Sequence, residues 1–257
     1  MESGHGPIHA VASPGASGVS TVKTGQTSGK EVVLEVIEPA QDRLYLRSYP
    51  DTGSDKAIAL TFDDGPWEGS TAEILDILRD NGAAATFFTI GQRIAGTGVD
   101  LVKRAYDEGH QVCTHSWDHA SGSGQGVNLS FMSAEEQRNE IEQGIQAIAD
   151  ATGAQASRVI RAPGGNFPLD VWRNVDDLIE ADIGWDIDTL DWKRPGAGKI
   201  ADQLKGATPG DIILMHDGGG DRTQTAEALR KALPYLKEQG FRFITIDEMM
   251  RFPRKEG

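Results

Sequence analysis

Ala57-Ile58-Ala59-Leu60-Thr61-Phe62-Asp63-Asp64-Gly65-Pro66 is an apolar run that ends in two adjacent carboxylates and a Gly-Pro turn. A short apolar stretch closed by turn residues describes a buried strand opening into a loop. Side chains of consecutive strand residues point to opposite faces, but the alternation breaks where the strand gives way to a turn, so Asp63 and Asp64 can address one pocket. Two like charges there need a third party. A cation on one carboxylate, or a proton or arginine on the other, relieves the repulsion and separates the pair into ligand and base. The plainer alternative is a turn acid followed by a helix N-cap, and this segment alone leaves both open.

Working outward, Gly109-His110-Gln111-Val112-Cys113-Thr114-His115-Ser116-Trp117-Asp118-His119 is a strand-like run closed by two histidines four residues apart. Imidazole is the commonest metal ligand among side chains. Gly122 and Gly124 follow, so the histidines are expected on a loop rather than a helix face. His110 is read as a strand-start residue and not a ligand. Asp64, His115 and His119 then make a set of two histidines and one carboxylate, and three protein ligands with open positions describe a catalytic metal site. Cys113 is the single cysteine, which excludes an intrachain disulfide, a Cys-rich zinc site and a redox pair. Within its apolar run it reads as a small buried hydrophobe.

Three further segments end in chemistry. Val159-Ile160-Arg161-Ala162-Pro163-Gly164-Gly165 delivers an arginine into a Pro-Gly-Gly turn, where backbone N–H groups are easily presented. Trp185 to Trp192 sets acids beside aromatics, and Asp211-Ile212-Ile213-Leu214-Met215-His216-Asp217 is another apolar strand ending in a His-Asp pair. In a β/α barrel, residues just past the C-terminal ends of strands build the active site.

With those motifs in order, the chain resembles the polysaccharide deacetylase family, the NodB-homology domain of carbohydrate esterase family four, over about residues 55 to 250. The resemblance implies an α/β fold, a distorted (β/α)7 barrel of the NodB type. It implies Asp63 as catalytic base paired with Arg161, and Asp64, His115 and His119 as the metal triad. His216 is implied as general acid, oriented by Asp191, and Trp185 and Leu214 as walls of a pocket for the acetyl methyl. Asp63 would take a proton from water, His216 would protonate the departing amine, and the Gly164 N–H would face the developing oxyanion. One divalent metal ion is expected, zinc first, with cobalt, nickel or manganese able to occupy such a site. Two departures stand out. Gly164 replaces an aromatic residue common in the family, and Ala120 followed by the Gly/Ser-rich Ser121 to Asn128 replaces a proline after the second histidine; that insertion reads as a surface loop.

The chain has 257 residues and 38% hydrophobic content, enough for one sizeable core. Residues 1–30 read as a linker or tail, with His5 and His9 given no metal role. Residues 31–54 read as an N-terminal strand extension packed on the barrel, with 31–36 and 43–47 paired, and 55–257 as the catalytic domain. Strands are expected near 57–62, 84–90, 111–114, 158–161, 182–187, 211–215 and 241–246. Between them fall helices, the first with a capping-box pattern at Ser70 and Glu73, the longest over about 133–151 with Ile141, Ile145 and Ile148 on one face. Glu135, Glu136, Glu140 and Glu142 read as the solvated face of that helix.

A net charge of −14 argues against nucleic acid as partner. No stretch is apolar enough for a membrane helix, and no signal peptide opens the chain. An extracellular or cell-surface location is nevertheless expected, with an export signal or anchor preceding the residues given. The expected activity is N-deacetylation of a GlcNAc-containing polymer by a monomeric hydrolase, peptidoglycan first and chitin-type oligomers next. The alternatives are O-deacetylation of xylan and a catalytically silent carbohydrate-binding relative. Trp67, Trp117 and Trp192 stand near the motifs and are read either as sugar-stacking surfaces or as core.

Overall fold

The computed structural model describes residues 51–122, 128–165 and 169–253, and the backbone of four strands before them. Those four are β1 (His9–Ala12), β2 (Gly18–Thr24), β3 (Glu31–Ile37) and β4 (Leu44–Leu46). They are followed by β5 (Ala57–Asp63), β6 (Thr86–Thr89), β7 (Gln111–Thr114), β8 (Val159–Ile160), β9 (Ala181–Ile183), β10 (Ile187–Asp188), β11 (Ile212–His216) and β12 (Arg242–Ile244). The helices are α1 (Ser70–Asn81), α2 (Thr97–Asp107), α3 (Ala134–Thr152), α4 (Leu169–Val175), α5 (Ala197–Lys205), α6 (Thr223–Glu238) and α7 (Ile246–Met249).

The main sheet runs β10-β11-β5-β6-β7-β8-β9-β4, with β12 also on β5, and every ladder in it is parallel. Alternation of strands with helices dictates this, because a parallel neighbour needs a crossover. The expected strand at 182–187 is two strands, β9 and β10, which stand near opposite ends of the sheet although only Gly184–Asp186 separates them. Six strand spacings in a flat sheet would set them about 29 Å apart. Four Cα steps reach at most about 14 Å. The sheet must therefore curl until its ends approach, and no ladder closes it among the described residues: a distorted, open β/α barrel.

β5 is an interior strand, paired with β11, β6 and β12, and is buried throughout. Its Ile58, Leu60 and Phe62 face outward into a core shared with α1 and α6, where Ile74, Leu75, Leu78, Leu229 and Leu233 are fully buried. Ala57 and Ala59 face inward, beside Phe88, Cys113, Val159 and Ile212. The two-residue period places Thr61 and Asp63 on that inner face. Cys113 is buried there, and burial pushes its thiol far up.

Four further expectations differ from the structure. β3 pairs antiparallel with β2, which pairs with β1, while β4 joins the edge of the main sheet beside β9, so 31–36 and 43–47 are not partners. Strands β1 and β2 fall inside the segment read as a linker; the β-branched Val19, Thr21, Val22 and Thr24 suit a strand despite the Gly and Ser around them. His9 lies in β1, and His5 lies outside the described residues.

The capping box at Ser70 and Glu73 does not form. Gly69 is the N-cap; Ser70 Oγ donates to the Asp217 carbonyl at 2.6 Å, and Glu73 pairs with Arg230 at 2.9 Å. On α3, Ser133 and Glu136 do form a capping box, and Glu142 pairs with Arg138 at 2.8 Å, but Glu140 is not solvated: it is 9% exposed.

Candidate active site

Asp63 is the last residue of β5, and its Oδ1 accepts from Arg161 Nη1 at 2.7 Å. Both side chains are buried. The guanidinium spends its other N–H groups on Thr61 Oγ1 (2.8 Å), the Ile183 carbonyl (2.9 Å) and the Gly184 carbonyl (3.0 Å). Its carbon lies 4.3 Å above the Phe88 ring centroid. A buried ion pair of this kind is tolerable because each of the three guanidinium nitrogens finds an acceptor.

Asp64 turns away from its neighbour. Its φ is 73°, in the left-handed region, and Arg93 Nη1 holds its carbonyl at 2.6 Å. Asp64 Oδ1 is buried with no hydrogen-bond partner, and it lies 3.7 Å from His115 Nε2 and 3.3 Å from His119 Nε2. His115 Nδ1 donates to the Arg161 carbonyl at 2.6 Å, which leaves the Nε2 lone pair facing the carboxylates. Burial, with the neighbouring His119, pushes His115 down to about 3, so the ring is neutral at ordinary pH. The ligand atoms of Asp64, His115 and His119 all lie within 4.8 Å of one another. An unpartnered carboxylate oxygen facing two imidazole nitrogens fits a divalent cation, and the mixed N/O set with no thiolate fits a site left open for catalysis.

β11 pairs with β5 so that His216 stands beside Asp63. His216 Nδ1 donates to Asp191 Oδ1 at 2.7 Å, and the His216 backbone N–H and Thr225 Oγ1 both donate to Asp191 Oδ2, at 2.9 and 2.7 Å. Burial opposes the imidazolium, but the Asp191 carboxylate overrides it and Asp64 and Asp63 add to the attraction, so His216 is pushed up to about 9. Asp191, although buried, is held below the usual carboxylate range by the same pair.

Leu214 is nearly buried on β11, level with Thr61. Trp185 is half-buried in the link after β9, its ring centroid 5.7 Å from the Arg161 guanidinium carbon. Gly165 fits closely against it: a Cβ there would come within 2.4 Å of the indole. Gly164 is exposed at φ 69°, and a Cβ there would stand 3.5 Å from Ser121 Cβ, so the first residue of the insertion lies against the position where an aromatic ring is missing. Residues 123–127 of that insertion lie outside the described residues. Of the three tryptophans, Trp67 and Trp192 are 38% and 48% exposed, each with a cation over one ring face, Arg93 at 4.5 Å and Lys193 at 4.7 Å. Trp117 packs instead, 2.7 Å from where a Gly91 Cβ would be.

Sequence reasoning brought together the residues of both clusters but passed over Arg93 and Thr225 and read Glu140 as solvated. Thr225 and Arg93 carry no local signal, since each acts on a residue far away in the chain. Glu140 had one: positions 137, 140, 141, 144 and 148 of α3 recur at helical spacing and are all buried.

The curled β/α sheet, an Asp/His cluster able to hold a cation, and an Arg-paired and a His-paired carboxylate near the strand ends fit a metal-dependent hydrolase of the barrel type. The chain belongs to the polysaccharide deacetylase family, whose model matches residues 51–178. A peptidoglycan-N-acetylglucosamine deacetylase of Bacillus cereus is 38% identical over 202 residues, covering 77% of this chain and 90% of that one. A chitooligosaccharide deacetylase of Bradyrhizobium sp. is 32% identical over 215 residues, covering 79% and 94%. Among solved structures, the Bc1960 peptidoglycan N-acetylglucosamine deacetylase in complex with a hydroxamate-type benzamide superposes with a TM-score of 0.72 at 30% identity, covering 84% of this chain and 97% of that one.

Proposed function

We propose that the chain hydrolyses N-acetyl groups from a GlcNAc-containing polymer, most directly peptidoglycan, releasing acetate and leaving a free amine. The observation that carries this reading is the separation of the two adjacent acids: Arg161 engages Asp63 at 2.7 Å, while Asp64 Oδ1 is left to two imidazoles. Asp64, His115 and His119 would hold one divalent ion, zinc being best suited to two imidazoles and a carboxylate. When bound, such an ion supplies Lewis acidity toward water and an acyl oxygen.

The chain's own residues supply the rest. Asp63 Oδ2, the oxygen not engaged by Arg161, takes a proton from water as general base. Arg161, bound to Asp63 Oδ1 at 2.7 Å, holds the carboxylate in place for that role. The Gly164 N–H stabilises the charge that develops on the acetyl oxygen. His216, protonated at neutral pH through Asp191, gives its Nε2 proton to the departing nitrogen, which an amide requires because an unprotonated amine leaves poorly. Trp185 and Leu214 enclose the acetyl methyl. Trp67 and Trp192 offer flat exposed faces on which pyranose rings stack.

The likeness to a chitooligosaccharide deacetylase supports chitin-type oligomers as a second substrate class. Base, acid and ligands would serve an acetyl ester equally, so acetylated xylan is the informative competitor. A polymer outside the cytoplasm places the protein at the cell surface or beyond; no helix among the described residues is long and apolar enough to cross a membrane. In this reading the protein acts as a monomer. Acetate release from peptidoglycan, chitin oligomers and acetylxylan, each with the zinc-loaded protein, tests it. Release from acetylxylan alone would make it an O-esterase, and polymer binding without any release would make it a carbohydrate-binding relative.

A further inference from the structure

His115 and His119 stand at the two ends of a turn in which Ser116 Oγ accepts from the Ala120 N–H at 3.0 Å. Ser116 and His119 both have positive φ, 65° and 63°, a region that costs energy for residues other than glycine. Further support comes from partners outside the turn. Its carbonyls are taken by a neighbouring turn, with Gly91 N–H donating to the Ser116 carbonyl at 3.0 Å and Gln92 N–H to the Trp117 carbonyl at 2.9 Å. Its central N–H groups are taken by one side chain: Glu140 Oε2, from α3, accepts from Trp117 N–H at 3.0 Å and Asp118 N–H at 3.1 Å.

Glu140 is an unusual residue to find there. It is 9% exposed, and among the described residues no lysine, arginine or histidine lies within ion-pair distance of it, whereas Glu142, half a turn on, has Arg138 at 2.8 Å. Burying a carboxylate without a cation is costly and is retained only where hydrogen bonds to the charged form compensate. Here the compensating donors belong to the residues between the two histidines. Docking of α3 itself does not depend on this contact. Ile141 and Ile148 are buried, and Gly144 lies so close to β7 that a Cβ would come within 2.1 Å of Thr114 Oγ1.

We propose that Glu140 is a positioning residue for the metal site: by accepting the Trp117 and Asp118 N–H groups it sets the His115–His119 turn so that both Nε2 atoms converge on Asp64 before any cation arrives. The proposal rests on reading Asp64, His115 and His119 as the cation's ligands. Its demand is for an acceptor at this place, not for negative charge as such, and that separates it from a general electrostatic effect. Glutamine retains an oxygen that can accept both N–H groups, whereas alanine retains none.

The test measures zinc affinity of the full chain by competition with a chromogenic chelator, together with denaturant unfolding of the metal-free protein. Loss of a group that orients a metal-binding histidine typically weakens affinity about 10- to 100-fold. Glu140→Ala is expected to fall in that range, and Glu140→Gln to stay within about threefold of the wild type on the same scale. A folded Glu140→Ala protein with wild-type affinity would overturn the proposal, as would a Glu140→Gln protein weakened as much as the alanine variant. If the alanine variant does not fold, the glutamine variant still decides, alongside hydrogen exchange in the metal-free wild type. Slow exchange is expected for the Trp117 and Asp118 amides, and exchange at the rate of an open loop contradicts the proposal. Wild-type zinc affinity in His119→Ala would instead overturn the ligand reading itself, which keeps the two failures apart.

Discussion

Asp63 and Asp64 are neighbours of the same chemical type, and what divides them is the company each keeps. Asp63 is inside the sheet against a guanidinium that has no slack: each of its three nitrogens is hydrogen-bonded. Arg161→Met would leave the Asp63 carboxylate buried and unpaired, a loss of about 3–5 kcal/mol expected in denaturant unfolding. His216 works by the opposite sign. Its folded pKa of about 9 lies above the ordinary 6.5, so the pair with Asp191 stabilises the fold fully below about pH 6.5 and loses that contribution as pH rises through 9. The acid form needed for amine departure disappears over the same range. The rate at saturating substrate should therefore fall on the alkaline side near pH 9, and Asp191→Asn should draw that limb down toward 6.5. An alkaline limb that does not move in Asp191→Asn would contradict His216 as the acid.

At the scale of elements, the strand ends decide where chemistry stands, and they are what sequence reveals best. β5 and β11 end in a candidate site residue, and β7 and β8 are followed at once by one, because a buried apolar run can be recognised and the turn after it is marked by Gly, Pro or Asp. Helix faces were less legible. Glu140 lies among Glu135, Glu136 and Glu142, and acidity alone suggests a solvated face; only its spacing from Ile141, Gly144 and Ile148 marks it as buried. Ser70 and Glu73 carry the letters of a capping box, yet Asp217, 147 residues from Ser70, competes for the serine hydroxyl and wins. The box on α3 is real in the fold, so Ser133→Ala should cost about 1 kcal/mol, read as a lower unfolding midpoint. Gly144→Ala should cost about 1–3 kcal/mol through overpacking on β7, and since Thr114 immediately precedes His115, it should weaken zinc binding as well.

At the scale of the whole molecule, eight parallel ladders and a three-residue link between β9 and β10 bend one sheet into an open barrel. That curvature carries β8, with Arg161, to within 2.7 Å of Asp63 on β5, three strands away along the sheet. Closure of the sheet could not be read from the alternation of strands and helices, because that pattern is the same for open and closed arrangements. Nor could the split of residues 182–187, where Gly184–Asp186 breaks the pairing within an otherwise strand-like run. A cation held by β5 and the β7 turn would bind only the folded chain, so its removal should lower the unfolding midpoint as well as abolish turnover, and saturating zinc should restore both.

The central claim is amide hydrolysis by divided acids beside a cation site. Acetate release from N-acetylated peptidoglycan, measured for zinc-loaded wild type, for the chelated protein, and for zinc-loaded Asp63→Asn and His216→Ala, tests it most directly. The expected result is release by the wild type, none after chelation, and rates lower by about 10²- to 10⁴-fold in each variant with zinc still bound. Undiminished release in both variants, or no release from peptidoglycan by the zinc-loaded wild type, would contradict it.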